Sequence, residues 1–230
     1  MRADLVMSRN VVTVAADASV YDAAMVLLNA GISAAPVLDA GGKMIGIISE
    51  ADLMHRPEIG TVPKRSWIER LLANEAVLAK DFIRSHSHRV ADVMTREVVT
   101  AGSRASLPEL ATLMERHKIK RIPIVDGDKV IGIVSRANLL QGLLVREPLD
   151  ASAPDNDKLR AAVLAALAKH GWASSGTANI VAQSGVVHLW GWVDSTIAKK
   201  AYEVATENVY GVQRVKNHMM ILPFQVHSGV

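Results

Sequence analysis

Cysteine is absent from the chain, and with it go disulfides, thiolate catalysis and cysteine-ligated zinc or iron–sulfur sites. Aromatic residues are scarce too: two Phe, three Tyr and four Trp among 230 residues. Half of the residues are nevertheless hydrophobic, so the cores must be built from Ala, Val, Leu and Ile, as in a globular protein. No stretch approaches the roughly 18 uninterrupted apolar residues of a membrane-spanning helix. The opening "MRADLVMSRN" lacks the apolar centre of a signal peptide. The expectation is a soluble, cytoplasmic protein. Charge of one sign is also weak, with 26 Lys and Arg against 23 Asp and Glu despite a pI near 9.2. That excess is not clustered enough for a nucleic-acid footprint, and no nucleic-acid partner is expected.

Catalytic signatures are missing as well. His55, His86, His88, His117, His170, His188, His218 and His227 are scattered, and none stands in HExxH or a comparable ligand spacing. The "SHSH" at 85–88 suits a solvated loop better than a metal site. There is no GxSxG, no Walker A loop and no paired carboxylates on one helix face, since Glu50 and Asp52 are two apart. No catalytic residue and no metal ligand is assigned, and the chain is expected not to be an enzyme.

What the sequence does contain is itself, twice. "VMSRNVVTV" at 6–14 aligns with "VMTREVVTA" at 93–101, "ISAAPVLD" at 32–39 with "IKRIPIVD" at 119–126, and "KMIGIISEADLM" at 43–54 with "KVIGIVSRANLL" at 129–140. The offset is 87 before Asp39 and Asp126 and 86 after them, because "DAGGK" shortens to "DGDK". A register held this long marks duplicated units, each too small to bury its own apolar face. Each repeat carries a short β piece (Val11–Val14; Val98–Thr100) and a helix announced by Ser19/Asp22 or Ser106/Glu109, both capping boxes. Gly31 reads as a left-handed C-cap. Two strands follow, then a helix starting at "EADLM" or "RANLL". The fold expected is α/β (α+β), with two βαββα repeats paired in one module.

Between the repeats, Ser66 and Glu69 suggest a capped helix with Trp67, Leu71, Leu78 and Phe82 on one face, a packed linker helix. Expected boundaries are 1–54 and 91–146 for the repeats, 55–90 for this linker, 147–156 for a Pro/Ser/Asp-rich tether, 157–223 for a C-terminal domain and 224–230 for a tail.

Ser49 and Ser135 sit where an apolar strand hands over to a helix start, a place with free N–H groups suited to phosphate. Asp52, one turn on, is an acceptor suited to two ribose hydroxyls. Gly46 and Gly132, in mid-strand, could let a flat base approach the backbone. The alternative stands beside this one: Ser-x-x-Asp is also an ordinary capping box.

The duplicated M-x-x-x-[VI]-x-T, x-x-P-[VI]-x-D and G-[IV]-[IV]-S-x-x-[DN] pattern resembles tandem CBS (cystathionine-β-synthase) domains, over roughly residues 1–145. The resemblance implies an intramolecular pair with two clefts that take adenosine nucleotides such as AMP, ADP or ATP, as regulatory ligands rather than required cofactors. Some relatives bind S-adenosylmethionine. By family geometry Ser49 and Asp52 face Thr100, Lys120, Arg121, Ile122 and Pro123. Ser135 and Asn138 face Thr13, Ser33, Ala34, Ala35 and Pro36. The first cleft has a carboxylate for ribose and Lys120/Arg121 for phosphate, although these two also fit a solvated loop end. The second has Asn138, a departure from the acidic form of the motif. Stacked CBS pairs imply a homodimer, with the Ala-rich helix Val20–Ala30 at the contact.

Beyond "REPLDASAPDNDK" comes a helix "KLRAAVLAALAKHGW", two strands "ANIVAQSGVVHLWGWV" with a tight turn at Ser184-Gly185, a helix ending at Gly211 and a last strand "QRVKNHMMIL". This αββαβ order, with Gly185, Gly191, Gly211, Val212 and Val215, resembles a BON domain. The resemblance implies a protein or phospholipid partner. Trp190 and Trp192 lie two apart on one sheet face, where packing is the expected role. The function expected is a ligand sensor that relays nucleotide binding to BON-domain contacts; the alternative is a constitutive assembly protein.

Overall fold

A computed structural model describes residues 1–61, 74–145, 155–173 and 178–222. In chain order the first repeat supplies α1 (Ala3–Val6), β1 (Val14–Ala15), α2 (Val20–Ala30), β2 (Ala34–Leu38), β3 (Met44–Ser49) and α3 (Glu50–Leu53). The linker supplies α4 (Glu75–His86). The second repeat supplies α5 (Val90–Val93), β4 (Ala101–Gly102), α6 (Leu107–Arg116), β5 (Arg121–Asp126), β6 (Lys129–Ser135) and α7 (Arg136–Leu144). The C-terminal domain supplies α8 (Asn156–Ala168), β7 (Ala178–Gln183), β8 (Val186–Val193), α9 (Thr196–Glu207), β9 (Arg214–Asn217) and β10 (Met220–Ile221). The expected mixed α/β class is what is observed. Among the described residues no helix is long and apolar enough to cross a membrane.

The local signals work as expected. Ser19 Oγ accepts from Asp22 N at 3.0 Å, and Ser106 Oγ from Glu109 N at 3.3 Å, so both repeats open their first helix with a capping box. Gly31 adopts φ 61° and stops α2. The short β pieces land a few residues late, at 14–15 and 101–102, because pairing decides them. Val14 and Ala15 run parallel to Val37 and Leu38.

The compact units are not the sequence repeats. One unit comprises Val11–Thr100 with Val125–Ile131; the other comprises Met1–Asn10, Ala101–Ile124 and Gly132–Val230. The first ten residues of each repeat have thus changed partners. In the unit built around Val11–Thr100, Val90, Val93 and Met94 join Val14, Ala23, Leu27, Ala35, Val37 and Ile48 in one core. Thr95 and Ile47 exchange backbone hydrogen bonds at 2.9 Å in both directions. In the other unit, Ser8 and Ile133 do the same at 3.0 Å, and Ala3 N donates to the Ala105 carbonyl at 2.8 Å.

This exchange explains the mid-strand glycines, and corrects one expectation. A Cβ at Gly46 would meet Met94 Sδ at 2.5 Å, and one at Gly132 would meet Met7 Sδ at 2.3 Å. Both glycines are bare to admit a buried methionine, not a flat ligand. Gly46 is also hemmed by the Thr95 carbonyl at 2.9 Å, whereas Gly132 meets only the flexible Met7 side chain within that range. Overpacking costs about 1–3 kcal/mol, so Gly46→Ala is expected near the upper end of that range and Gly132→Ala near the lower. Urea midpoints of the two variants check this; equal midpoints would refute the distinction.

The linker is helical at α4, opened by Asn74 Oδ1 accepting from Ala76 N at 3.0 Å. Ser66, Trp67, Glu69 and Leu71 lie outside the described residues. The packed helix expected of Leu78 and Phe82 is not seen: they are 37% and 61% exposed, and Ser85 is the buried residue of α4. Leu78, Ala79, Phe82 and Ile83 do fall on one side of α4, opposite Lys80, Asp81 and Arg84, but that side is exposed.

In the C-terminal domain β7 and β8 form the expected hairpin, turning at Ser184 (φ 49°) and Gly185 (φ 77°). The single last strand becomes two, because Asn217 Oδ1 accepts from Met219 N at 3.1 Å and kinks the chain. β9 and β10 both run parallel to β8. Leu159, Val163 and Leu167 of α8 and Tyr202 of α9 pack on Ile180, Val187 and Leu189. The opposite face of β7 receives α1. The tether residues 147–154 lie outside the described residues, and Asp155 caps α8 by accepting from Asp157 N at 2.9 Å.

Candidate functional site

Two corners, where β3 meets α3 and β6 meets α7, hold the serines singled out from sequence. Both are capping boxes. At the first, Asp52 Oδ2 accepts from Ser49 N at 3.0 Å and from Ser49 Oγ at 2.6 Å. Its other oxygen, Oδ1, accepts from Arg84 Nη2 at 2.6 Å and from Thr95 Oγ1 at 3.4 Å. The Asp52 side chain is only 8% exposed, while Arg84 is 46% exposed. One carboxylate oxygen is therefore held by Ser49, and the other is covered by an arginine that is partly open to solvent.

At the second corner Asn138 Oδ1 accepts from Ser135 N at 2.7 Å and Ser135 Oγ at 2.8 Å. Its Nδ2 donates to the Val6 carbonyl at 3.1 Å and to Gln141 Oε1 at 3.2 Å. Asn138 is 4% exposed. Both ends of this side chain are in use.

The free amides expected for phosphate are partly taken. Glu50 N donates to the Ser33 carbonyl and Arg136 N to the Lys120 carbonyl, each at 3.1 Å. α3 is also a single turn of four residues, too short to carry an appreciable macrodipole. Of the residues expected to face Ser135, Ala34 pairs with Ser49, Ala35 with Ile48 and Pro36 with Ile47 of their own sheet. Lys120 is exposed, Arg121 opens β5 half-buried, and Ile122 and Pro123 are buried in that strand. Thr13 is exposed and Thr100 half-buried, each just ahead of a short β piece. Arg84 and Thr95 were missed by sequence reasoning. Arg84 lies 32 positions from Asp52, and no local pattern marks it.

Comparison with known families decides what these repeats are. The CBS domain model matches residues 3–58 and 90–145, and the BON domain model matches 155–223. The chain is a CBS domain protein with a C-terminal BON domain. It is 35% identical over 124 residues to the uncharacterized protein MJ1426 of Methanocaldococcus jannaschii, matching 49% of this chain and 74% of that protein. It is 27% identical over 145 residues to the chloroplastic CBS domain-containing protein CBSX2 of Arabidopsis thaliana, matching 60% of that protein. The crystal structure of CBSX2 in complex with AMP is similar over 64% of this chain and 99% of that one, with 25% identity and a TM-score of 0.55. A match to inosine-5'-monophosphate dehydrogenase of Nitrosopumilus maritimus covers 60% of this chain but only 23% of that enzyme.

In the BON domain Trp190 stacks on His218 with centroids 4.0 Å apart, and His218 Nε2 lies 3.1 Å from His188 Nδ1. Burial, aided by Lys216 and Lys199, holds His218 below the usual imidazole range, so at neutral pH it packs as an uncharged aromatic. Trp190 is thus a packing residue. Trp192 on the same face is 44% exposed. Among the described residues no cluster of three or more His, Cys, Asp or Glu could hold a metal ion.

Proposed function

We propose that this chain is a regulatory sensor that binds an adenosine nucleotide of the AMP, ADP or ATP class at the Ser49–Asp52 corner of its CBS pair and relays binding to its BON domain. The observation that carries the reading is the state of Asp52: a nearly buried carboxylate, oriented by its own backbone, whose remaining oxygen holds a displaceable, half-exposed arginine. Two ribose hydroxyls are the natural replacement for that guanidinium, which is then released toward a phosphate. The similarity to CBSX2, a protein crystallised with AMP, supports the same ligand class. No catalytic step is assigned; the ligand acts through its different affinities for two arrangements of the protein. Calorimetry with AMP, ADP, ATP and S-adenosylmethionine tests the reading. An adenosine nucleotide is expected to bind, and heat from none of them would sink it.

We also propose a homodimer through the CBS helices. Tyr21, Met25 and Leu28 of α2 are 71%, 40% and 74% exposed at i, i+4 and i+7, an apolar stripe on an Ala-rich helix. Leu28→Asp is expected to convert a concentration-dependent dimer into a monomer in light scattering. A wild type that stays monomeric across concentration removes this proposal.

A further inference from the structure

The second corner of the CBS pair does something the first does not. Val6 at the end of α1 and Gln141 on α7 present two acceptors, the Val6 carbonyl and Gln141 Oε1. Asn138 Nδ2 donates to both, at 3.1 and 3.2 Å. Asn179 of the BON strand β7 donates to the same two, at 3.2 and 2.7 Å. One pair of acceptors is thus shared between an amide of the CBS repeat and an amide of the BON domain. Beside it Arg160, on the BON helix α8 and 3% exposed, donates to the carbonyls of Asp4 and Met7 at 2.7 Å each. The guanidinium thus satisfies two carbonyls at the end of α1 that have no partner within that single turn.

We propose that the β6–α7 corner is the built-in seat of the BON domain and has given up nucleotide binding, so that the chain takes one adenosine ligand and not two. The chemistry of position 138 carries this. Its counterpart in the first repeat is Asp52, a pure acceptor. An aspartate at 138 would offer only lone pairs to the Val6 carbonyl and Gln141 Oε1, which are acceptors themselves. Only an amide can cap α7 through its oxygen and hold the α1–Gln141–Asn179 cluster through its nitrogen. The asparagine is therefore a committed structural choice, with no donor or acceptor left to face a ribose. The first corner has a half-exposed arginine in the equivalent place; the second has a backbone carbonyl and a neighbouring domain.

The count of ligands rests on the nucleotide reading above; the seat does not. The test uses the full-length protein with Asn138→Asp, which restores the acid, and Asn179→Ala, which alters only the BON side. Hydrogen exchange of the peptide holding the Met7 and Ser8 amides is expected to speed up about tenfold in both variants, because the cluster that fixes α1 is broken. Calorimetry with AMP and ATP is expected to give one nucleotide per wild-type chain, and an affinity that Asn138→Asp changes by less than about twofold, since a shift that small is well under 1.4 kcal/mol. Unchanged exchange in both variants, a stoichiometry of two, or a second site gained or lost on mutating Asn138 would each overturn the proposal. If the wild type binds neither nucleotide, the sensor reading fails, while exchange still decides the seat.

Discussion

Arg160→Ala is expected to lower the stability of the protein by about 2–5 kcal/mol, because three carbonyls lose this donor together. The bonds to Met7 and Ile180 are buried, where an acceptor left without its donor costs about 1–3 kcal/mol, while the part-buried Asp4 carbonyl keeps a 3.3 Å bond from Arg9 Nη2. Those carbonyls belong to Asp4, Met7 and Ile180, so the loss falls on α1 and β7 at once. Burial, with Arg9 nearby, pushes the Arg160 guanidinium down to about 10, which leaves it protonated at neutral pH. Arg160→Lys keeps the charge but not the planar fork, and is expected to recover under half of the loss, as one ammonium cannot serve three divergent carbonyls. Urea unfolding followed by circular dichroism checks both. A midpoint for Arg160→Ala within error of the wild type would falsify the account of this residue as a clamp.

Asp52→Ala is expected to weaken AMP or ATP about ten- to a hundredfold. Hydrogen bonds to a charged group contribute about 1.5–3 kcal/mol, and about 1.4 kcal/mol is one decade in affinity. Arg84→Ala gives the opposite sign for adenosine itself. An ion pair whose arginine is half exposed is worth only about 0.2–1 kcal/mol, so freeing Asp52 Oδ1 is expected to tighten adenosine by up to about fivefold. Arg121, proposed from the family pattern to meet phosphate, predicts a third behaviour: Arg121→Ala weakens AMP and leaves adenosine nearly unchanged. Titration calorimetry with the three variants separates these. An Asp52→Ala protein that binds as the wild type does would remove Asp52 from the site.

Signals that act over three or four residues were legible in the sequence: the capping serines at 19 and 106, the C-cap at Gly31, the turn at Ser184-Gly185, and the repeat register itself. Each is decided by backbone chemistry inside one window. The changes of partner were not legible, because "VMSRN" and "VMTRE" look alike and nothing in either says which sheet it joins. Arg160 was hidden for a related reason. It sits in "KLRAAVLAALAK", where an arginine reads as solvated face, and its carbonyl partners lie 153 and 156 positions away. Asn138 was the one visible clue, an amide where the pattern asks for an acid. Its sense required Val6, Gln141 and Asn179, which only the fold brings together.

The exchange of opening segments also sets a timetable for synthesis. A nascent chain that has reached residue 61 holds β1 to α3 but lacks Val90, Val93 and Met94, three members of that sheet's core. Its apolar face stays open until the ribosome has added the next thirty-odd positions. Residues 1–10 must wait longer still, for their partners at Ala105 and Ile133. Contacts this distant in sequence form slowly, and exposed apolar surface in the meantime invites association. Residues 1–10 are thus made well before their place exists, so a chain released short of Ile133 strands α1.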